Sequence, residues 1–158
     1  MTVTKLSSYT IHPIPVTALD EVRSSGVGEG GTPVVNLCAV GGEPLRCCLR
    51  DAHAGEDIML FGYSPPLPSS PYREQGAVYA HRDTCGASVT YTTVPPDWSV
   101  RPQVLRAYDE RGWIHEASCA HDGTDPDGEI VRVLAEPGVV EVHSRNAVHG
   151  CLMFVVTR

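Results

Sequence analysis

Apolar and polar positions alternate over short stretches of this chain, and a helical spacing emerges only twice. Val34–Val40, Leu45–Arg50, Ile58–Tyr63, Gly76–His81 and Val104–Tyr108 read as strands, with a first strand over Lys5–Ile11. Trp113–Cys119 reads as extended. The last twenty residues read as a hairpin: a strand over Val139–Ser144, a turn over Arg145–Gly150, and a strand over Cys151–Thr157. Gly150 in that turn is expected at positive φ, where glycine alone is at ease. Thr17-Ala18-Leu19-Asp20 fits a capping box and opens a short helix to about Ser24. Thr124 or Asp125 caps a second helix, with Pro126 in its first turn and Ile130, Val131, Val133 and Leu134 as its apolar stripe. Glu136-Pro137-Gly138 stops it. About seven to nine strands and two short helices, without βαβ alternation, predict a single α+β domain over 1–158 with a curved, mostly antiparallel sheet.

Composition supports many turns. The 158 residues include 15 Gly and 13 Pro, and four prolines crowd Ser64–Pro71. Val94–Pro102 is a second stiff crossing. The net charge of −7 is spread evenly. Residues 1–79 hold five basic and eight acidic groups, and residues 80–158 hold seven and eleven. No basic arm exists, so nucleic acid is not an expected partner. No apolar run is long enough to span a bilayer, and Met1–Thr10 lacks the apolar core of a signal peptide, so no membrane is expected and the chain is read as cytoplasmic. The expected partner is a small-molecule substrate; nothing in the pattern fixes the oligomeric state.

In that compartment the six cysteines argue against a disulfide framework. Their spacing contains no CxxC pair and signals no structural zinc knuckle. Cys47 and Cys48, on a strand, would point to opposite faces and could not share a site. Gly28-Glu29-Gly30-Gly31 lacks the preceding strand and following helix of a phosphate cradle. Asp122, Asp125 and Asp127 lack the distal glutamate of a calcium loop.

Several segments are similar, in order and spacing, to a bacterial family catalogued as domain of unknown function 1203 (DUF1203). They are Pro44-Leu45-Arg46 with Leu49-Arg50-Asp51-Ala52 and Gly55-Glu56; Ser70-Pro71-Tyr72-Arg73; the Gly76–His81 strand; Arg106-Ala107-Tyr108-Asp109; and Asn146-Ala147 with Gly150-Cys151 and Arg158. The resemblance runs from about Glu43 to the end of the chain. Leu45 stands where many members carry cysteine, and Arg145 where many carry histidine. The resemblance implies no particular reaction.

Candidate chemistry therefore comes from the residues. His81 and Cys85 lie four apart across a strand end; the commoner reading is a buried apolar cysteine and a surface histidine, but if the turn brings them together they form a thiol–imidazole pair for nucleophilic catalysis or two metal ligands. Glu141, His143 and Arg145 share one strand face. For an ordinary antiparallel strand such a row is more often the solvated side of the sheet than the lining of a pocket, and Asn146 beside it raises the pocket reading. Arg106 shares a face with Val104 and Tyr108, and Asp109 could pair with Arg106 or with an arginine of the Ser-Pro-Tyr-Arg loop. The leading expectation is a cofactor-independent enzyme on a small organic substrate, a biosynthetic tailoring step such as cyclisation, isomerisation or hydrolysis. His143 or His81 would be the base, Tyr72 an acid and Asp109 a proton-transfer group. Arg73, Arg106, Arg145 and Asn146 would orient an anionic or carbonyl group. Zinc is the alternative cofactor, on a set drawn from His81, Cys85, His143 and Cys151. A non-catalytic small-molecule or partner-binding protein is the third reading.

Overall fold

A computed structural model describes residues 8–85 and 90–158. Most of the strands expected from the alternating pattern form, but they are divided between two five-stranded sheets. The strands are β1 (Thr10–His12), β2 (Val35–Cys38), β3 (Pro44–Leu45), β4 (Arg50–Asp51), β5 (Asp57–Tyr63), β6 (Gly76–His81), β7 (Gln103–Tyr108), β8 (Cys119–His121), β9 (Glu141–Asn146) and β10 (Leu152–Thr157). The first sheet has the order β1-β10-β9-β7-β8 and is antiparallel throughout. The second has the order β2-β5-β6-β3-β4, and its β3–β6 pair is parallel. With helices α1 (Val16–Ser25) and α2 (Pro126–Leu134), the fold is α+β.

Each sheet has its own apolar layer. Leu105, Ala107, Val142, Phe154 and Val156 pack with Ile130, Val133 and Leu134 of α2, and Trp98 stacks on Phe154 at 6.2 Å between ring centroids. The second layer joins Leu19 of α1 to Leu45, Ile58, Phe61, Val78 and Ala80. Helix α2 follows its sequence signals: Asp125 accepts a hydrogen bond from Gly128 N at 3.1 Å, and Pro126 opens the first turn. Helix α1 does not use the expected capping box. It begins at Val16 behind Pro15, no side chain caps it, and Thr17 lies inside it. The fixed φ of Pro15 sets the start ahead of Thr17.

Three further expectations are corrected. Leu45–Arg50 is not one strand: β3 ends at Leu45 and residues 46–49 form a turn. Trp113–Cys119 is irregular, with one bridge between Ile114 and Tyr108, and the strand comes later as β8. The first residues of the expected strand over Lys5–Ile11, 5–7, lie outside the described residues, and β1 covers Thr10–His12. Among the described residues no helix is long and apolar enough to cross a membrane.

Candidate metal centre

The parallel register of β3 and β6 starts the site. Leu45 pairs with Tyr79 and Arg46 N–H donates to Tyr79 O at 2.8 Å, so the chain two residues on comes alongside His81. There it turns back. Leu49 N–H donates to Leu45 O at 2.9 Å, and Leu49 takes a left-handed φ of 59°. That conformation costs a non-glycine residue about 1–2 kcal/mol. It is held because the Leu49 side chain is fully buried in the core of the first sheet. Arg46, also fully buried, fastens the turn to β10 by donating to Leu152 O at 2.7 Å and to Cys151 Sγ at 3.2 Å.

The turn overturns the expectation for the adjacent cysteines. In a strand they would diverge; here both reach the same imidazole. Cys47 Sγ is 3.3 Å and Cys48 Sγ 3.9 Å from His81 Nδ1, and the sulfurs are 3.8 Å apart. Cys85, in the loop after β6, completes the group: one ligand atom from each of Cys47, Cys48, His81 and Cys85 lies within 4.8 Å of every other.

Glu56 orients the imidazole. Its Oε1 lies 3.1 Å from His81 Nε2, which fits a donating Nε2–H and leaves the Nδ1 lone pair facing the sulfurs. Arg50 holds Glu56 in a fork at 2.6 and 3.0 Å, and His53 N–H donates to it at 2.6 Å. The Arg50 pairing, above all, keeps the carboxyl well below the usual carboxylate range. His81 N–H donates to Cys47 Sγ at 3.3 Å. The Cys47 thiol hydrogen-bonds to Cys48; this bond, then burial, raises Cys47, and the same bond lowers Cys48.

These separations suit one tetrahedral ion. Two sulfurs each about 2.3 Å from a zinc ion stand about 3.8 Å apart, and a sulfur and a nitrogen about 3.6 Å. A carboxylate on the distal ring nitrogen is the usual support for a metal-binding histidine. An open cleft of about 400 Å³ lies over the group, lined by Arg50, Glu56, Asp57, His81, Asp83 and Cys85 among others.

The other residues singled out from sequence are dispersed. The alternative metal set is divided: His81 and Cys85 are together, Cys151 is bonded to Arg46, and His143 Nε2 is paired with Glu141 at 2.7 Å. The row Glu141-His143-Arg145 is not a solvated face. His143 is fully buried and Arg145 is buried, while Glu141 is half-buried. Arg106 lies opposite His143 in register. Glu74, from the segment after the Ser-Pro-Tyr-Arg motif, bridges Arg106 at 3.0 Å and Arg145 at 2.9 Å. Asp109 pairs with neither Arg106 nor Arg73. It binds Arg111 at 2.7 Å and accepts from Arg111 N and Trp113 N, which closes a turn. Asn146 likewise serves its hairpin, accepting from Val148 N and His149 N. Antiparallel pairing sets Asn146 opposite Gln103 and Glu141 opposite Tyr108, so Asp109 and Asn146 lie at opposite ends of the β7–β9 pair and do not converge. Tyr72 packs edge-on against Trp113 at 5.7 Å, and Arg73 is exposed.

Sequence reasoning missed Cys47, Cys48 and Glu56 as parts of one site. The available signal was the pair Gly41-Gly42 before Pro44 and the short segment to Asp51, which suits a tight hairpin better than a long strand.

A family model described as "Protein of unknown function (DUF1203)" matches residues 42–158. Neither the curated proteins nor the solved structures supply a match. The matched stretch contains all four ligand candidates together with Arg50, Glu56 and the β7, β9 and β10 strands. The chain belongs to the DUF1203 family.

Proposed function

We propose that this is a zinc-dependent protein whose ion is held by Cys47, Cys48, Cys85 and His81. The observation that carries the reading is the convergence of three thiols and one imidazole within 4.8 Å, at separations that match one tetrahedral ion. Thiolate and imidazole together select zinc over harder cations such as magnesium or calcium. Cys47, Cys48 and His81 sit on a braced turn and a strand, whereas Cys85 sits on a loop beside the cleft. With Cys85 in place the site is closed and structural; with Cys85 displaced it has the open fourth position of a catalytic centre. Bound there, the ion would polarise a carbonyl or activate a water. Small-molecule chemistry in the cleft is the activity this supports.

Protein purified without a histidine tag should carry one zinc ion per chain by elemental analysis. Cobalt substitution should give a thiolate charge-transfer band. His81→Ala and Cys48→Ser should lose the ion, and Cys151→Ser, outside the cluster, should keep it. A site filled at about one hundred times its dissociation constant contributes about 2.7 kcal/mol. For a chain of this size, stripping the ion should lower the melting point by roughly 5–10 °C. Folded protein that takes up neither zinc nor cobalt would refute the proposal.

A second reading rests on the chain Cys48–His81–Glu56, which also has the order nucleophile, base, orienting carboxylate. It predicts rapid, stoichiometric alkylation of Cys48 in metal-free protein, abolished by His81→Ala. Burial of Cys48 to 8% exposure weighs against it.

A further inference from the structure

A cavity of about 370 Å³ lies away from the thiol cluster, between the chain entering α1, the end of β5 and the β10 strand. Its volume falls within the roughly 300–1,000 Å³ of small-molecule sites. Its walls are mainly apolar: Ile14, Val16, Tyr63, Pro66, Leu152 and Val155 contribute. One carboxylate stands among them. Glu141 lines this cavity, and no lysine or arginine does so among the described residues.

The carboxylate of Glu141 is incompletely served. Its one hydrogen bond among the described residues is with His143 Nε2 at 2.7 Å, made through Oε1. His143 is fully buried, and its Nδ1 has no partner. The Nε2–H tautomer makes that bond and leaves Nδ1 a bare lone pair, whereas a second ring N–H there would be a buried donor without an acceptor. The arginines of β7 and β9 on this face do not supply the missing cation. Arg106 and Arg145 are both bound to Glu74. Of the other titratable groups on the wall, His12 has its Nε2 taken by Thr157 Oγ1 at 2.8 Å, and Tyr63 is a phenol whose pKa burial raises. A carboxylate in an apolar wall with a free oxygen and no cation is the complement of a ligand that brings one.

We infer that this cavity binds a small apolar amine, with its ammonium on Glu141 and its hydrocarbon body against Ile14, Leu152 and Val155. Glu141 is the binding residue. His143 is a positioning residue that fixes the carboxylate from behind, with the Tyr108 ring 4.6 Å from its own. The site is independent of the thiol cluster and does not need the ion.

The test titrates isotope-labelled protein with hexylamine, hexanol and hexanoate, reading amide shifts. Hexylamine should shift Val16 and the 152–155 segment and bind at least about tenfold more tightly than hexanol, with hexanoate weakest. Glu141→Gln should erase the preference for hexylamine over hexanol. Val16→Lys places a tethered ammonium at the exposed cavity rim and should abolish hexylamine shifts, and it decides the matter if Glu141→Gln fails to fold. His81→Ala should leave hexylamine binding unchanged. Equal binding of hexylamine and hexanol, no saturable shift with any probe, or hexylamine shifts that survive Val16→Lys would overturn the inference.

Discussion

At the scale of single residues, backbone conformation decides what a side chain can reach. Leu49 is the one non-glycine residue at positive φ among the described residues, and it makes the turn that aims two adjacent cysteines at His81. Its strain is offset by the burial of its side chain, so it is a place where local preference yields to packing. Gly150 shows the opposite case. Its φ is 75°, as the hairpin reading expects, and no atom stands within 4 Å of where a Cβ would be. A substitution there meets no clash and costs only the conformational penalty. Gly150→Val should therefore destabilise the fold by about 1–3 kcal/mol, read as a shift in the denaturant midpoint with unchanged slope. An unchanged midpoint would show that the turn relaxes at no cost.

At the scale of elements, capping and register carry the argument. Helix α2 has a side-chain cap at Asp125 and α1 has none. Asp125→Ala should cost about 0.5–2 kcal/mol, and hydrogen exchange should speed up first in the N-terminal turn of α2. Uniform loss of protection across the chain would argue that the cap acts elsewhere. Register explains the polar row on β9. Period two placed Glu141, His143 and Arg145 on one face correctly, but whether that face meets water depends on what lies across it. Glu74 and the opposed Arg106 close over part of it, and the amine-sized cavity takes the Glu141 end.

At the scale of the whole molecule, charge pairing sets the response to acid. Glu56, Asp109 and Asp122 are held below their ordinary range, first of all by side-chain hydrogen bonds from Arg50, Arg111 and Thr124 respectively. A carboxylate with a lowered folded value binds fewer protons folded than unfolded. Its contribution is complete above the unfolded value of about 4 and is lost as pH falls below it. His121, lowered by burial, adds a loss that begins below about 6.5 by the same sign. Melting points of the metal-free protein should thus fall gently from pH 7 to 5 and steeply below about 4. Glu56→Gln should flatten part of the steep limb. A steep fall already complete by pH 5 would contradict this assignment.

The sequence by itself determined the α+β class, most of the longer strands, the cap and stop of α2 and the glycine of the last turn. Each of these follows from periodicity or from one residue's conformational preference, both of which act over a few neighbours. Only the tertiary structure decided the rest. The parallel β3–β6 register brings Cys47 to His81 across thirty-four positions of chain, and the buried Leu49 bends the turn that adds Cys48. The folding of the two sheets against separate apolar layers sends His143 and Cys151 to partners of their own. Alternation specifies which residues share a face, but a metal site and a ligand cavity depend on which faces meet, and that is settled by long-range packing.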